Sequence, residues 1–232
     1  TIDPPEACLP ENFLEVPSSI ASSGGNNNTN IVCTGCSASC TSAAPTSMCT
    51  VNSNKNMTLP GGPDANNPKK YYFKGLNVSS NSKIITTGFV KVYIEGDFNT
   101  STNVLFCGNI TEPNCQHSPL PNSDPDQVFI HAYGQSTANP GVNCVVDINS
   151  NTKVWGKLYA PTASMTVIDS NSNFYGSVLA GGMCTSCGTG GGVDANAGVH
   201  YDVDIRNDNT KADTTRMSKR RECYFGTVAG AP

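Results

Sequence analysis

Two stretches of this chain match each other when the sequence is compared with itself at an offset of 20 residues. NSNTKVWGKLYA, at 149–160, aligns with DSNSNFYGSVLA, at 169–180. Each consists of a short polar turn, rich in Asn and Ser, followed by an apolar run with one Gly inside it. A unit of this length cannot bury its own apolar side chains and has to stack on a neighbouring unit. The repeat therefore predicts a stack of β coils, a β-solenoid.

Weaker copies of the unit occur earlier, as SSNSKIITTG at 79–88 and NTSTNVLFCG at 99–108. Apolar and polar residues alternate in VKVYIEG, as they do in a half-buried strand. No segment shows the apolar spacing and caps of a long helix, so we expect an all-β chain with a parallel β-helix-like core. Asn suits the corners of such coils because it tolerates left-handed backbone angles. Gly156 and Gly176 are expected at bends where no side chain fits.

The composition divides the chain into three segments. Residues 1–68 are rich in Gly, Pro and Asn and contain five cysteines, so we expect an irregular segment held by disulfides. Residues 69–206 contain most of the β-rich runs and form the predicted solenoid domain. Residues 207–232 form a C-terminal tail.

Eleven cysteines beside only three histidines favour an oxidising compartment and disulfides. The CxxC pairs Cys33/Cys36 and Cys184/Cys187 would also suit zinc, which is the less favoured interpretation. Cys107 and Cys115 are close enough in sequence to close one loop. The other pairings stay open, and the odd number leaves one cysteine free or bonded to another chain. The expected disulfide cysteines are Cys8, Cys33, Cys36, Cys40, Cys49, Cys107, Cys115, Cys144, Cys184, Cys187 and Cys223.

Export is also favoured by five Asn-x-Ser/Thr sequons, which are candidate glycosylation sites. The chain has no run of 18 apolar residues, so no membrane span is expected. Its first residues are polar, and we expect the mature form of an extracellular or cell-surface protein. A net charge of −4 gives no electrostatic reason to bind nucleic acid. The sequons begin at Asn27, Asn56, Asn77, Asn99 and Asn109.

Asp169, Asn171 and Asn173 have the spacing with which a calcium loop begins. Such a loop needs Gly at its sixth position and a carboxylate at its twelfth, which here are Phe174 and Ala180. A coil corner is therefore the favoured interpretation and a calcium site the alternative. We expect no metal and no cofactor.

His200 and Asp202 would share one face of a strand, as an acid/base pair could. No nucleophile accompanies them, and the repeated positions hold Ser, Asn and Thr, which cannot supply the acids of a polysaccharide-cleaving enzyme. We therefore predict a non-enzymatic protein with no catalytic residue. Trp155 and Tyr175 occupy equivalent positions in the two units, where their rings could either pack in the core or stack on sugars.

VWGKLYAPTASMTVIDSNSNFYGSVLAGG, followed by GVHYD, resembles the closing stretch of a bacterial exported β-solenoid domain. YYFKGLNVSSNSKI and VKVYIEGDFN resemble its earlier coils, so that the likeness spans about residues 70–205. That domain occurs on type IV pilin-like and pilus-assembly-associated proteins and on other large surface proteins. The resemblance implies a structural or adhesive role in a pilus-like or cell-surface filament system, with pilus or surface proteins as partners. The cysteine-rich first 68 residues depart from it.

Two alternative functions follow from the expected architecture. Strand edges at the end of a solenoid must be capped or used for pairing, so the chain could be a self-polymerising filament subunit whose partners are other copies. Flat solenoid faces can also carry threonine ladders, for which Thr86-Thr87 and Thr100-Ser101-Thr102 are candidates. A carbohydrate- or ice-binding surface protein, with surface polysaccharide as a possible ligand, is therefore the second alternative.

Overall fold

The structure is a computed structural model that describes residues 16–118, 120–133, 146–160, 166–180, 192–193 and 196–200. Within these ranges the chain is mostly β, as the sequence predicts, and the helical elements are α1 (Ser18–Ala21) and the 3₁₀ turns Asn28–Asn30, Ala38–Cys40 and Pro125–Gln127. No helix in the described ranges is long and apolar enough to cross a membrane. The strands are β1 (Val32–Cys33), β2 (Cys49–Val51), β3 (Asn56–Leu59), β4 (Lys69–Phe73), β5 (Leu76–Val78), β6 (Lys83–Thr86), β7 (Val90–Ile94), β8 (Phe98–Thr100), β9 (Leu105–Cys107), β10 (Val128–Ala132), β11 (Val146–Ile148), β12 (Lys153–Ala160), β13 (Thr166–Ile168), β14 (Asn173–Ala180), β15 (Gly192–Val193) and β16 (Gly198–His200).

The strands form two sheets, A and B, whose named strands pair in parallel except for β1, which is antiparallel to β3. Sheet B has the order β15-β13-β11-β8-β5-β2. Sheet A has the order β1-β3-β6-β9-β12-β10-β7-β4, with β14 beside β12 and β16 beside β14. The fold is therefore a parallel β arrangement, and the solenoid itself stays a prediction.

The repeat found in the sequence is also a repeat in space. β12 and β14 pair over their whole length, from Lys153 opposite Asn173 to Ala160 opposite Ala180. The first half of β12 also pairs with β9, and the second half with β10. Between the two halves of β14, Gly176 has a φ of +135°, and a Cβ there would collide with the backbone of the preceding repeat. This position excludes a side chain, as expected.

Asparagine marks the corner between each strand of sheet B and the following strand of sheet A. Six asparagines at these corners have φ between 58° and 61°, the left-handed conformation that the sequence analysis assigned to Asn. Their backbones link successive layers: the N–H of Asn103 donates to the carbonyl of Ser150, and that of Asn151 to the carbonyl of Ser170. The six are Asn54, Asn81, Asn103, Asn151, Asn171 and Asn196.

One apolar cluster fills the space between the two sheets and contains residues of both. In sheet B the first and last residues of β2, β5, β8 and β11 are buried and the middle residue is half-exposed, as expected when one face of a sheet packs on a core. β2 and β3 pair in parallel with β5 and β6, so the parallel sheets begin at Cys49. The expected division of the chain at residues 69 and 206 stays a prediction, and residues 207–232 lie outside the described ranges.

Candidate functional site

Three rings form a stacked column on the outside of sheet A. Trp155 of β12 lies opposite Tyr175 of β14, which lies opposite His200 of β16. Each pair of ring centroids is 4.8 Å apart, with angles between ring planes of 12° and 16°. Because neighbouring strands are about 4.8 Å apart, parallel in-register pairing by itself sets this ring spacing. Trp155 is buried, Tyr175 half-buried and His200 exposed.

A cleft of about 330 Å³ runs beside this aromatic column. Its opposite wall is the segment from Leu120 to Pro125, in which the Leu120 side chain is 48% exposed. Ser123 holds this wall against the end of β9, since its Oγ lies 2.6 Å from the N–H and 2.8 Å from the carbonyl oxygen of Gly108. The lining residues are Leu120, Pro121, Asn122, Ser123, Pro125, Trp155, Tyr175, Gly176 and His200.

The cleft combines apolar walls with hydrogen-bonding groups. Beside the Trp155 and Tyr175 rings, its lining includes the amide of Asn122 and the hydroxyl of Ser123. His200 Nε2 is 2.7 Å from Asn173 Oδ1, which fixes the orientation of the last ring. Burial raises the pKa of the Tyr175 phenol, which therefore stays protonated at neutral pH. The described lining suits an uncharged ligand that carries both apolar surface and acceptor oxygens.

Both faces of the Tyr175 ring are covered, one by Trp155 and the other by His200. A sugar therefore cannot stack on Tyr175 as the sequence analysis considered for exposed rings, and would meet the ring edges that line the cleft. Trp155 also packs in a second apolar cluster. This cluster includes Cys107 and Cys115, whose disulfide closes a short loop. Trp155 is a core residue at one end of the column, and both Trp155 and Tyr175 line the cleft along its side. Core packing and an accessible surface, the two roles considered for these rings, are therefore both present.

A second aromatic column crosses the other half of sheet A. Tyr72, Tyr93, His131 and Tyr159 lie opposite one another on β4, β7, β10 and β12. His131 is only 8% exposed, its ring stacks on Tyr93 at 5.0 Å, and its Nδ1 has no hydrogen-bond partner in the described part of the chain. Burial, with a smaller effect of Lys91, lowers the pKa of His131 to about 4. This column packs under α1 through Ile20 and is structural.

The residues of the alternative calcium loop have corner roles instead. Asp169 accepts hydrogen bonds from the Ser170 N–H at 2.6 Å and the Ser150 hydroxyl at 3.2 Å. Asn171 is a left-handed corner residue, and Asn173 is bonded to His200 in the aromatic column. No three potential ligands among His, Cys, Asp and Glu converge in the described residues. These contacts are those of a coil corner, and calcium binding at these side chains stays an untested alternative.

Six of the expected disulfide cysteines pair within the described ranges. Cys33–Cys36, Cys40–Cys49 and Cys107–Cys115 are disulfides with Cα–Cα distances of 5.9, 4.6 and 6.0 Å. The first CxxC pair thus closes on itself rather than holding zinc, and Cys107 closes the short loop with Cys115 as expected. The other five cysteines lie outside the described residues, as does Asp202; they are Cys8, Cys144, Cys184, Cys187 and Cys223.

The sequon asparagines differ in their surroundings. Asn56 and Asn109 are exposed, and Asn77 and Asn99 lie opposite each other, half-exposed, on neighbouring strands of sheet B. The side-chain oxygen of Asn27 accepts a hydrogen bond from the backbone of β4. This bond does not involve the side-chain nitrogen of Asn27, the atom to which a glycan would be attached. Glycosylation at all five stays a prediction.

The threonines considered for an ice-binding ladder differ in their exposure. Thr86 and Thr100 are buried, with exposed fractions of 0% and 4%. The hydroxyl of Thr86 accepts from the Asn109 N–H at 2.9 Å, and that of Thr100 accepts from the Asn149 N–H at 3.0 Å. Thr87 is exposed and Thr102 half-exposed, so ice binding stays an untested alternative.

Sequence reasoning missed His200 as the third ring and the Leu120–Pro125 wall. The offset from Tyr175 to His200 is 25 residues, because the last repeat is longer than the one before it, and a gapped self-comparison would have aligned them. Comparison of the chain with protein-family models, curated proteins and solved structures gives no match. The interpretation of function therefore rests on the residues and their geometry.

Proposed function

We propose that this chain is a non-enzymatic, extracellular structural and adhesive module of a pilus-like or cell-surface filament system, built as a β-solenoid. The observation that carries this proposal is the pairing of successive strand triplets. β4, β5 and β6 pair in parallel with β7, β8 and β9, each with its counterpart, and in the same sheet. β7, β8 and β9 pair in the same way with β10, β11 and the first half of β12. A chain that winds in stacked coils would pair its strands in this way, which supports the proposal.

The physical properties of such a stack suit a structural part. Each layer is bonded to the next along both sheets, and the apolar cluster runs without interruption from Met57 near the start to Phe174 near the end of the described stack. The free energy of unfolding is then the sum of a contribution from each layer and a contribution from each contact between neighbouring layers. An elongated and stiff body can therefore form without a wide globular core. Disulfides reinforce the first layer and one outer loop, in keeping with an oxidising location.

Immunogold electron microscopy of intact cells that produce the chain tests the location and role. Antibodies raised against the purified protein should label surface filaments or the cell envelope, and cells lacking the gene provide the control. Label confined to the cell interior would contradict the proposal. Negative-stain electron microscopy of the purified, disulfide-bonded protein distinguishes this proposal from the alternative of a self-polymerising filament subunit. Such a subunit would form ordered filaments without a carrier protein.

A carbohydrate-binding role is a second candidate, favoured by the cleft, whose lining combines aromatic rings with amide and hydroxyl groups. Trp155 is the single tryptophan of the chain, so its fluorescence reports on this cleft alone. Titration with neutral oligosaccharides should change its intensity and wavelength in a saturable way. Leu120→Ser should weaken that change, whereas Leu179→Ser, at another exposed leucine away from the cleft, should leave it intact. A flat titration with all oligosaccharides would remove this candidate.

A further inference from the structure

Three strands form the N-terminal edge of the parallel sheets: β2, β3 and β4. A strand at the edge of a sheet presents unpaired N–H and carbonyl groups, on which another strand can add. In this chain each of the three edges is instead covered by residues that precede it. The residues that do so lie between 26 and 40 and are called the cap below.

On β4 the cap uses asparagine side chains in place of a strand. The Asn28 amide donates to the carbonyl of Tyr72 at 2.6 Å and accepts from its N–H at 3.0 Å. One step earlier, the Asn27 N–H donates to the carbonyl of Lys70 at 2.7 Å, and the Asn27 side-chain oxygen accepts the Lys70 N–H at 3.0 Å. Asn28 is fully buried, so these bonds replace water on the edge of β4.

The other two edges are covered in a similar manner. Along β2, the Ser37 N–H donates to the carbonyl of Thr50 at 2.8 Å, and the Ser37 hydroxyl accepts the Thr50 N–H at 3.0 Å. Along β3, the two-residue strand β1 pairs in the antiparallel sense, with Val32 opposite Thr58. A strand that continued the stack would pair in parallel, so the cap ends the stack rather than extending it.

The cap depends on its cross-links. Its regular structure is limited to β1 and two 3₁₀ turns of three residues each, which contribute few cooperative bonds. Cys33–Cys36 ties the cap to itself, and Cys40–Cys49 ties it to β2. Segments with so little secondary structure take much of their order from disulfides.

We infer that the strand edges of β2, β3 and β4 are an association surface for a second copy of this chain, closed by the cap in the disulfide-bonded protein. A second copy is the occupant that fits, because its opposite end offers matching parallel edges: within the described residues β15 pairs only with β13, β16 only with β14, and the second half of β14 only with β12. Flat parallel edges released from the cap pair readily with further strands. This inference rests on the proposed structural role and adds a means by which end-to-end association is held back.

The test is to loosen the cap in the full chain and follow its size by light scattering after gel filtration, with hydrogen exchange at β2, β3 and β4. Cys33→Ser/Cys36→Ser should shift the protein from one copy to dimers and larger species in a concentration-dependent way. Cys107→Ser/Cys115→Ser removes a disulfide outside the cap and should stay a single copy. Circular dichroism of both variants checks that the sheets persist.

A second change identifies the surface. The Lys70 N–H points at the cap, and proline is tolerated on an edge strand where its missing N–H faces outward. Adding Lys70→Pro to Cys33→Ser/Cys36→Ser should weaken the association, since the edge of β4 loses an N–H that faces the cap while β2 and β3 keep theirs. Association as strong in this triple variant as in the double variant, or a folded cap variant that remains a single copy, would overturn the inference. Neither result bears on the immunogold location, so failure here and failure of the proposed function are distinguishable.

Discussion

At the scale of single residues, backbone conformation explains why asparagine recurs at the corners. Asn54, Asn151 and Asn171 are exposed there, and their shared feature is a positive φ rather than a common side-chain partner. One amide pair, Asn103 with Asn81 at 3.1 Å, adds a contact between layers. The left-handed angle costs other L-residues about 1 kcal/mol, which asparagine partly avoids. Corner geometry therefore decides residue type here.

Asn151→Ala is expected to lower the free energy of unfolding by about 1 kcal/mol, because alanine is strained at a φ of 58°. Asn151→Gly should cost less, since glycine adopts this angle without strain. Urea denaturation of the two variants provides the comparison. An alanine variant as stable as the glycine variant would mean that the corner relaxes to another conformation.

The pKa of His131, lowered to about 4 from 6.5, makes stability depend on pH. Between these values the unfolded chain binds a proton that the folded chain excludes, so this contribution to stability is complete above about pH 6.5 and is lost as pH falls toward 4. The change is at most about 3 kcal/mol. His131→Phe should therefore gain stability relative to the natural chain on going from pH 7 to pH 4, as measured by urea denaturation at both values.

The neighbouring Ile130→Val provides the matched control, because it removes one buried methyl group from β10 and no titrating group. It should lower stability by about 1 kcal/mol at both pH values. A difference between His131→Phe and the natural chain that is the same at pH 7 and pH 4 would contradict the assigned titration.

At the scale of elements, β12 and β14 show how one continuous strand serves two parts of a sheet. The first half of β12 pairs with β9 and the second half with β10, and Gly156 lies between the pairing segments. In β14 the equivalent residue is Gly176, whose backbone approaches the preceding glycine too closely for any side chain. The strand can change direction there because glycine permits a φ of +135°.

Gly176→Ala is expected to lower the free energy of unfolding by about 2 kcal/mol or more, because its Cβ would overlap backbone rather than a side chain that could move. Ser177→Ala, at the next residue of the same strand and half-buried, should stay within about 0.5 kcal/mol of the natural chain. Thermal denaturation distinguishes the two. Equal midpoints would show that the layers can move apart at this glycine.

At the scale of the whole molecule, the sequence predicted the repeat, the β class and the short Cys107–Cys115 loop, since all three depend on residues near one another or at a constant spacing. It did not predict that β2 and β3 join the sheets, because their apolar residues are few and are interspersed with turn residues. The hydrogen bonds of Asn28 to Tyr72 join residues 44 positions apart, and no local pattern indicates such a partner. Long-range capping is visible only in three dimensions.

A stack of equivalent layers should tolerate the loss of one whole layer. Deleting residues 151–170 joins the two copies of the repeat at matching positions, so the shortened chain is expected to fold with a modest loss of thermal stability. Deleting only residues 151–160 removes half a unit, puts the following strand out of register and should abolish cooperative unfolding. Circular dichroism and thermal denaturation compare the two. Equal behaviour of both deletions would contradict the stacked-layer architecture.

The cap precedes all the other strands of the two sheets in the sequence, and this order also has a consequence for biosynthesis. Because translation proceeds from the N-terminus, residues 26–73 can close their first layer before the later strands have been synthesised. Each new strand triplet then meets a finished template on which to add, so its pairing partner is always the layer made just before. We expect this chain to fold vectorially, with an order of assembly that follows the order of synthesis.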